Sequence, residues 1–248
     1  MSEISHQFKA AFTVDSVIFG FDEDDLKVLL IKRGRAPYVD HWALPGHFVR
    51  KNETVGGGAA RVLEELTGLK DVFQEEVGTF GAVDRHPDGR VITIAYFSLI
   101  KISNYQIAPF SFAKQVQWHS VKNLGKLAFD HNEIIQKGFE KLKLMVKIRP
   151  IGFELLPRKF TLTQLQQLYE CILETDEEGL DKRNFRKKIL SMNLLIELNE
   201  SQEGVAHRPA RLYRFDRQAY EALKAEGFSF ELKETKRKER KRRKKEMA

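Results

Sequence analysis

Cysteine is nearly absent from this chain, whose 248 residues include only Cys171, set among apolar residues at helical spacing. A lone cysteine excludes an internal disulfide and supplies no zinc set, so a reducing compartment and core packing are expected. No apolar run approaches the roughly 18–20 residues that a bilayer crossing needs. Residues Met1 to Ala10 lack a basic segment followed by an apolar one, so no secretory signal is expected. None of the seven histidines forms a His-x3-His or His-Glu-x-x-His set, and no Gly-x-Ser-x-Gly elbow occurs. Gly56-Gly57-Gly58 has no Gly-Lys-Ser/Thr ending and is not a P-loop; close packing or a mobile loop accounts for it. Internal repeats are missing too. These gaps weigh against zinc hydrolases, serine hydrolases, P-loop NTPases and membrane proteins.

What is present suits one or two soluble globular domains: 42% hydrophobic and 31% charged residues. The net charge of +7 is unevenly placed, because Lys233–Glu246 holds ten Lys or Arg against three Glu. The rest of the chain is therefore near neutral. Such a run is a nucleic-acid-binding tail, a solvated, disordered terminus or a long polar helix.

Alternation predicts strands over Phe12–Phe21, Leu26–Lys32 and Val91–Ile102, with a shorter one at Val116–Ser120. Helices are expected over Thr54–Thr67, stopped by Gly68, and over Asn132–Val146. This mixture implies an α/β domain. Pro150 and Pro157 then mark a linker or crossover over Arg149–Lys159. Beyond it, Thr161 and Gln164 have capping-box spacing, and Leu162, Leu165, Leu168 and Ile172 mark one helical face. Asp181 caps a second helix, Lys182–Met192, with Phe185, Ile189 and Met192 inward. Strands at Leu194–Leu198 and Arg211–Phe215 and a helix from Arg217 to Glu226, capped by Asp216, complete the order of a winged helix.

Two motifs carry chemistry. The segment from Ala43 to Val49, then Glu53, then Ala59 to Leu69 resembles the Nudix box, Gly-x5-Glu-x7-Arg-Glu-U-x-Glu-Glu-x-Gly-U with U aliphatic. Registered on Gly68 and Leu69, Glu53 and Arg61 match, His47 replaces the first glycine, and the three helical carboxylates fall on Val62, Glu65 and Leu66. Three carboxylates at i, i+3 and i+4 would converge on one magnesium ion, whereas one carboxylate between two aliphatic residues is a poor site. No catalytic residue and no metal site are therefore expected. For Glu65 an ion pair with Arg61, or a tie to the preceding loop, is the stronger expectation. Arg33-Gly34-Arg35-Ala36-Pro37-Tyr38 and Trp42-Ala43-Leu44-Pro45 resemble Nudix proteins that act on ADP-ribose, as do Ala128-Phe129-Asp130-His131 and Glu133-Ile134-Ile135. Arginine matches phosphate oxygens, although Arg33 and Arg35 also fit as solvent-facing hairpin ends. The candidate ligand-binding residues are Arg33, Arg35, His47, Phe48, Glu53, Arg61, Glu65, Arg85 and Arg90. His131 is expected to pack or cap rather than act as a base.

The second motif is basic. Lys182, Arg183, Asn184, Arg186 and Lys187 lie opposite Phe185 and Ile189, which is what a helix in the major groove needs. His207, Arg208 and Arg211 sit in the candidate wing, placed for backbone or minor groove. Residues Asp181 to Lys188 and Arg208 to Phe215 resemble the C-terminal module of the NrtR family, Nudix-related transcriptional regulators of NAD metabolism. The resemblance implies a Nudix α/β/α sandwich over residues 1–147 and a winged helix-turn-helix domain over 148–232; the flexible basic tail expected over 233–248 is read from its charge alone and is not carried over from the family. The resemblance further implies a cytoplasmic bacterial homodimer that binds palindromic operator DNA and represses NAD biosynthesis and salvage genes. ADP-ribose in the Nudix pocket would be the releasing effector, with no cofactor required. The alternatives are a Nudix hydrolase of ADP-ribose or a related nucleotide, and an RNA-binding Nudix relative.

Overall fold

The computed structural model describes residues 9–22, 25–102, 113–174, 180–204 and 209–231. His207, Arg208 and the basic stretch 233–248 lie outside the described residues. The chain divides into two compact units, Met1–Leu142 and Lys143–Ala248.

In the first unit, strand β1 (Ala11–Asp22) is buried without a break from Val14 to Phe21, so it occupies the middle of a sheet. It forms a hairpin with β2 (Asp25–Arg33) and pairs in parallel with a long strand, Val91–Lys101. Three further strands are short or polar: β3 (Trp42–Ala43), β4 (Gly46–Phe48) and β5 (Gln74–Phe80). With β6 (Val91–Lys101) and β7 (Ala113–Ser120) they complete one mixed sheet of seven strands among the described residues. The path runs β3-β2-β1-β6-β5, while β4 pairs with β1 and β7 with β2.

Two helices cover the sheet. Helix α1 (Val55–Thr67) starts at Thr54, whose side chain accepts from the Gly57 N–H, and stops at Gly68, left-handed at φ 72°. The glycine run 56–58 lies in its first turn, where Gly58 is buried close to the Glu53 carboxylate. Helix α2 spans His131–Ile148. Side chains alternate across β1. Ile18 packs with Leu63 and Leu66 of α1, whereas Val17 meets Gly138 and Phe19 meets Phe139 of α2. The helices therefore lie on opposite faces, an α/β/α sandwich.

The second unit opens with a correction. The segment expected to be a linker is a 3-10 helix, Pro150–Leu155, that buries Ile151, Phe153 and Leu155. Pro150 is tolerated at its start because the first N–H groups of a helix have no internal partner anyway. Helix α3 (Leu162–Leu173) carries the reciprocal Thr161–Gln164 capping box. Helix α4 (Lys182–Ser191) is capped by Asp181, whose side chain accepts from the Asn184 N–H at 2.9 Å. Strands β8 (Leu195–Ser201) and β9 (Arg211–Phe215) form a ribbon, and helix α5 (Arg217–Ala225) follows its Asp216 cap. Phe160 and Tyr213 exchange backbone hydrogen bonds at 3.0 and 2.8 Å, which fastens the ribbon beside the start of α3. Leu165, Leu168, Tyr169, Ile172, Phe185, Ile189 and Met192 fill the core of this winged helix. No described helix is long and apolar enough to cross a membrane.

Candidate ligand cleft and candidate nucleic-acid interface

The first unit holds a cleft of about 330 Å³ at the end of β1, where Thr13 and Asp15 face it. Asp15 is an anomaly for its strand, a charged residue only 6% exposed. Burial of a carboxylate demands compensation. It comes from Arg85, whose Nε and Nη2 hold Asp130 bidentately at 2.8 and 2.7 Å and whose Nη2 lies 3.5 Å from Asp15 Oδ2. Burial would weaken the hold of Arg85 on its proton, but the hydrogen bond to Asp130 and the charge of Asp15 outweigh it and raise its pKa. His131 is buried beside them. Its Nδ1 accepts from the Leu44 N–H at 2.8 Å, so the proton sits on Nε2, which lies 3.8 Å from Asp15 Oδ1. Desolvation pushes the His131 pKa down, against the pull of Asp15 and Asp130, and keeps the ring neutral.

An aromatic wall rises above this floor. His86 stacks on Phe129 at 5.1 Å, Tyr38 meets the Phe129 edge at 4.7 Å, and the Arg33 guanidinium stands 4.9 Å from the same ring. Arg33 also donates from Nε to the Pro37 carbonyl at 2.8 Å. Tyr38 and Phe129 both adopt left-handed backbone, φ 61° and 54°. Such conformations cost roughly 1–3 kcal/mol each and collect where a site must hold an unusual shape.

Of the expected ligand residues, the fold brings Arg33, Arg35, His47, Phe48 and Arg85 to the cleft wall. Glu53, Arg61, Glu65 and Arg90 do not line it. Arg61 is enclosed by its own chain: Nε and Nη2 hold Glu53 at 2.9 and 2.7 Å, Nη1 meets Glu65 at 3.3 Å, and Nη2 also reaches the Phe48 carbonyl. Arg50 approaches Glu65 from the other side at 3.3 Å. The hydrogen bond from Arg61, helped by the Arg50 N–H, holds the Glu53 carboxyl down at about 2. Glu65 thus makes both the ion pair with Arg61 and the tie to the preceding loop. Val62 packs with Val14 and Ala59 on the far side of β1 from Asp15, and Leu66 packs with Ile18 and Leu29. Among the described residues no group of three or more His, Cys, Asp or Glu is arranged to hold a metal ion.

Sequence reasoning missed Asp15 as part of the cleft, and named Phe129 only within a segment of family resemblance, with no role in the wall. For Asp15 a signal existed: a lone carboxylate in the apolar run Val14-Asp15-Ser16-Val17-Ile18. Its partners lie on other elements, so no local spacing announces them.

In the second unit, Lys182, Arg183, Asn184, Arg186 and Lys187 are all exposed on α4, while Phe185 and Ile189 are buried. Among the described residues no carboxylate pairs with Lys182, Arg183 or Lys187. Arg186 differs, since its Nη2 donates to Thr163 Oγ1 at 3.1 Å. Arg211 on the ribbon is engaged by Glu197. Arg208, expected in the wing, lies outside the described residues.

Known proteins match both units. The NUDIX domain family matches residues 11–138, and the NrtR DNA-binding winged helix domain matches residues 152–215. The crystal structure of Shewanella oneidensis NrtR complexed with a 27mer DNA is similar at a TM-score of 0.76 and 28% identity, over 90% of this chain and 99% of that one. The NUDIX domain of the same protein, complexed with ADP ribose, is similar at a TM-score of 0.51 and 28% identity, over 57% of this chain and 99% of that one. The ADPR responsive transcriptional repressor NtrR of Acinetobacter baylyi is 35% identical over 213 residues, 84% of this chain and 83% of that protein. Because that likeness covers 84% of this chain, more than either unit alone holds, the chain belongs to the NrtR family.

Proposed function

We propose that this chain is a DNA-binding transcriptional repressor of NAD biosynthesis and salvage genes, released from its operator by ADP-ribose bound in the cleft. The observation that carries it is the exposed face of α4, where cations stand without acidic partners among the described residues, beside an exposed asparagine. Such a face has an evident use against the polyanionic backbone and base edges of duplex DNA. Lys182, Arg183, Asn184 and Lys187 make those contacts, with Arg186 braced by Thr163; Arg208 and Arg211 serve the wing. Two copies related by a two-fold axis read a palindrome, with half-sites about one helical turn apart. The protein works in the bacterial cytoplasm, on the nucleoid when bound.

The cleft binds its ligand and does not cleave it. Arg33 and Arg35 meet the diphosphate, His47 and Phe48 close the rim, and Arg85 shapes the floor. Glu53, Arg61 and Glu65 support the Phe48 backbone from behind. The aliphatic packing of Val62 and Leu66 supports this reading, because a magnesium site needs oxygen ligands at those positions. ADP-ribose shifts the protein away from its DNA-competent arrangement only by its difference in affinity for the two states.

The test is binding to a labelled fragment from upstream of the protein's own and neighbouring NAD-related genes, at one stated salt concentration, with and without ADP-ribose. Specific binding that ADP-ribose releases, with the nucleotide recovered intact, is the expected result. Absence of specific binding together with magnesium-dependent release of AMP would overturn the repressor and establish a hydrolase.

A further inference from the structure

The floor of the cleft contains a polar pair whose members do not satisfy each other. His131 presents a protonated Nε2, because Nδ1 is committed to the Leu44 N–H. Asp15 Oδ1 lies 3.8 Å away, too far for a direct hydrogen bond. The other oxygen, Asp15 Oδ2, is reached by Arg85 Nη2 at 3.5 Å, an ion pair longer than an ordinary hydrogen bond. Arg85 compensates the charge, while the two carboxylate oxygens keep acceptor capacity for a further donor. Gly46 packs closely against the carboxylate, and a Cβ there would stand 2.1 Å from Asp15 Oδ1.

A donor and an acceptor held 3.8 Å apart are spaced for one oxygen atom between them. An oxygen at about 2.8 Å from each bridges the gap with an angle near 85–90°. The bridging group must both accept from His131 and donate to Asp15. The hydroxyl of a sugar does both, in the place that water takes when the cleft is free of ligand. A phosphate oxygen cannot donate, and the negative charge of Asp15 repels it; an ammonium cannot accept.

We propose that Asp15 and His131 together hold one hydroxyl of the terminal sugar of the ligand, and so set the specificity of the cleft. The inference rests on the ADP-ribose reading above. ADP-ribose differs from ADP by that second sugar, so contacts to the sugar's hydroxyls are what would separate the two ligands. A site built around a hydroxyl rejects an analogue that lacks it, because the buried polar groups are then left unpaired. Arg85 is the positioning residue for Asp15, and Leu44 for His131.

The test is titration calorimetry of the full chain with ADP-ribose and with ADP, for wild type, Asp15→Asn and His131→Asn. Asparagine at 131 keeps an acceptor for the Leu44 N–H and removes Nε2. Loss of one hydrogen bond to a charged group predicts about 10- to 100-fold weaker ADP-ribose binding by Asp15→Asn. A smaller loss of about 3- to 10-fold is expected for His131→Asn. Binding of ADP stays within about threefold in both variants, which shows that the fold is intact. Equal losses for ADP-ribose and ADP, or no loss for either, would overturn the inference while leaving the ADP-ribose sensor standing. Wild-type protein that binds ADP-ribose no better than ADP overturns the specificity claim without any variant. Failure of wild type to bind ADP-ribose at all removes the sensor reading itself.

Discussion

In helix α1 the one arginine is enclosed by its own chain, while the arginines and lysines of α4 stand on a surface with no acidic residue from Lys182 to Ser191. Both helices are amphipathic, both bury aliphatic or aromatic side chains on one face, and both begin at a side-chain cap. They differ in what their charges touch. Arg61 meets Glu53, Glu65 and a backbone carbonyl, and so holds the loop that carries Phe48. Lys182, Arg183 and Lys187 meet no carboxylate among the described residues. Cations compensated within the fold organise it. Cations left uncompensated await a partner, and their mutual repulsion in the free protein makes that partner an anion.

The contrast can be broken most violently on the buried side of α1. Replacing Val62 and Leu66 by Glu restores the carboxylates of the Nudix pattern at positions that are 0% and 2% exposed. Two unpaired charges in the core should destabilise the protein by roughly 4 kcal/mol or more. The expected outcome is a collapsed denaturant midpoint without magnesium-dependent release of AMP; brisk hydrolysis by a stable variant would reverse the assignment of that face.

On α4 the same logic predicts loss of a partner and not loss of fold. Arg183→Ala combined with Lys187→Ala should weaken operator binding about 10- to 100-fold near physiological salt and flatten its salt dependence. The thermal midpoint should barely move. A large drop in stability would mean that these cations are structural after all.

Smaller effects sharpen the comparison. Asp181→Ala removes the acceptor for the Asn184 N–H and should cost about 1 kcal/mol of stability. Its denaturant midpoint falls accordingly, and DNA binding weakens only as far as the start of α4 frays. The mildest change concerns pH. Glu53 titrates at about 2 in the folded protein, below its ordinary 4.5. Its stabilising contribution is therefore complete above pH 4.5 and lost as pH falls through about 2. Thermal midpoints of wild type and Glu53→Gln should differ above that window and converge at its acid end. A constant difference would show that Arg61 does not carry the effect.

Much of this architecture was legible because it is local. Thr161 with Gln164, Asp181, Asp216 and Gly68 mark helix ends within a few residues of the groups they satisfy, and each does so in the fold. Arg61 and Glu65 are one helical turn apart, so their ion pair could be foreseen. The unread elements were short or polar. Strands β3 and β4 have two and three residues, and β5 reads Gln-Glu-Glu-Val-Gly-Thr-Phe with a register shift between Glu76 and Gly78. Two prolines point to a linker or crossover over residues 149–159, although the apolar spacing of Ile151, Phe153 and Leu155 points inward. The cleft was half legible: arginines suited to phosphate announce themselves, whereas Asp15, Arg85 and Asp130 meet only through the tertiary fold.

Gly46 has a consequence for anyone who would transplant this site. A Cβ in place of its hydrogen would stand 2.1 Å from Asp15 Oδ1 and 2.7 Å from the Val14 carbonyl. The two positions pair across β1 and β4. A designer who grafts the acid onto a related sheet without that glycine inherits a collision, and one who grafts the glycine alone inherits a hole. Asp15 and Gly46 are in effect a single heritable unit, written in two places along the chain.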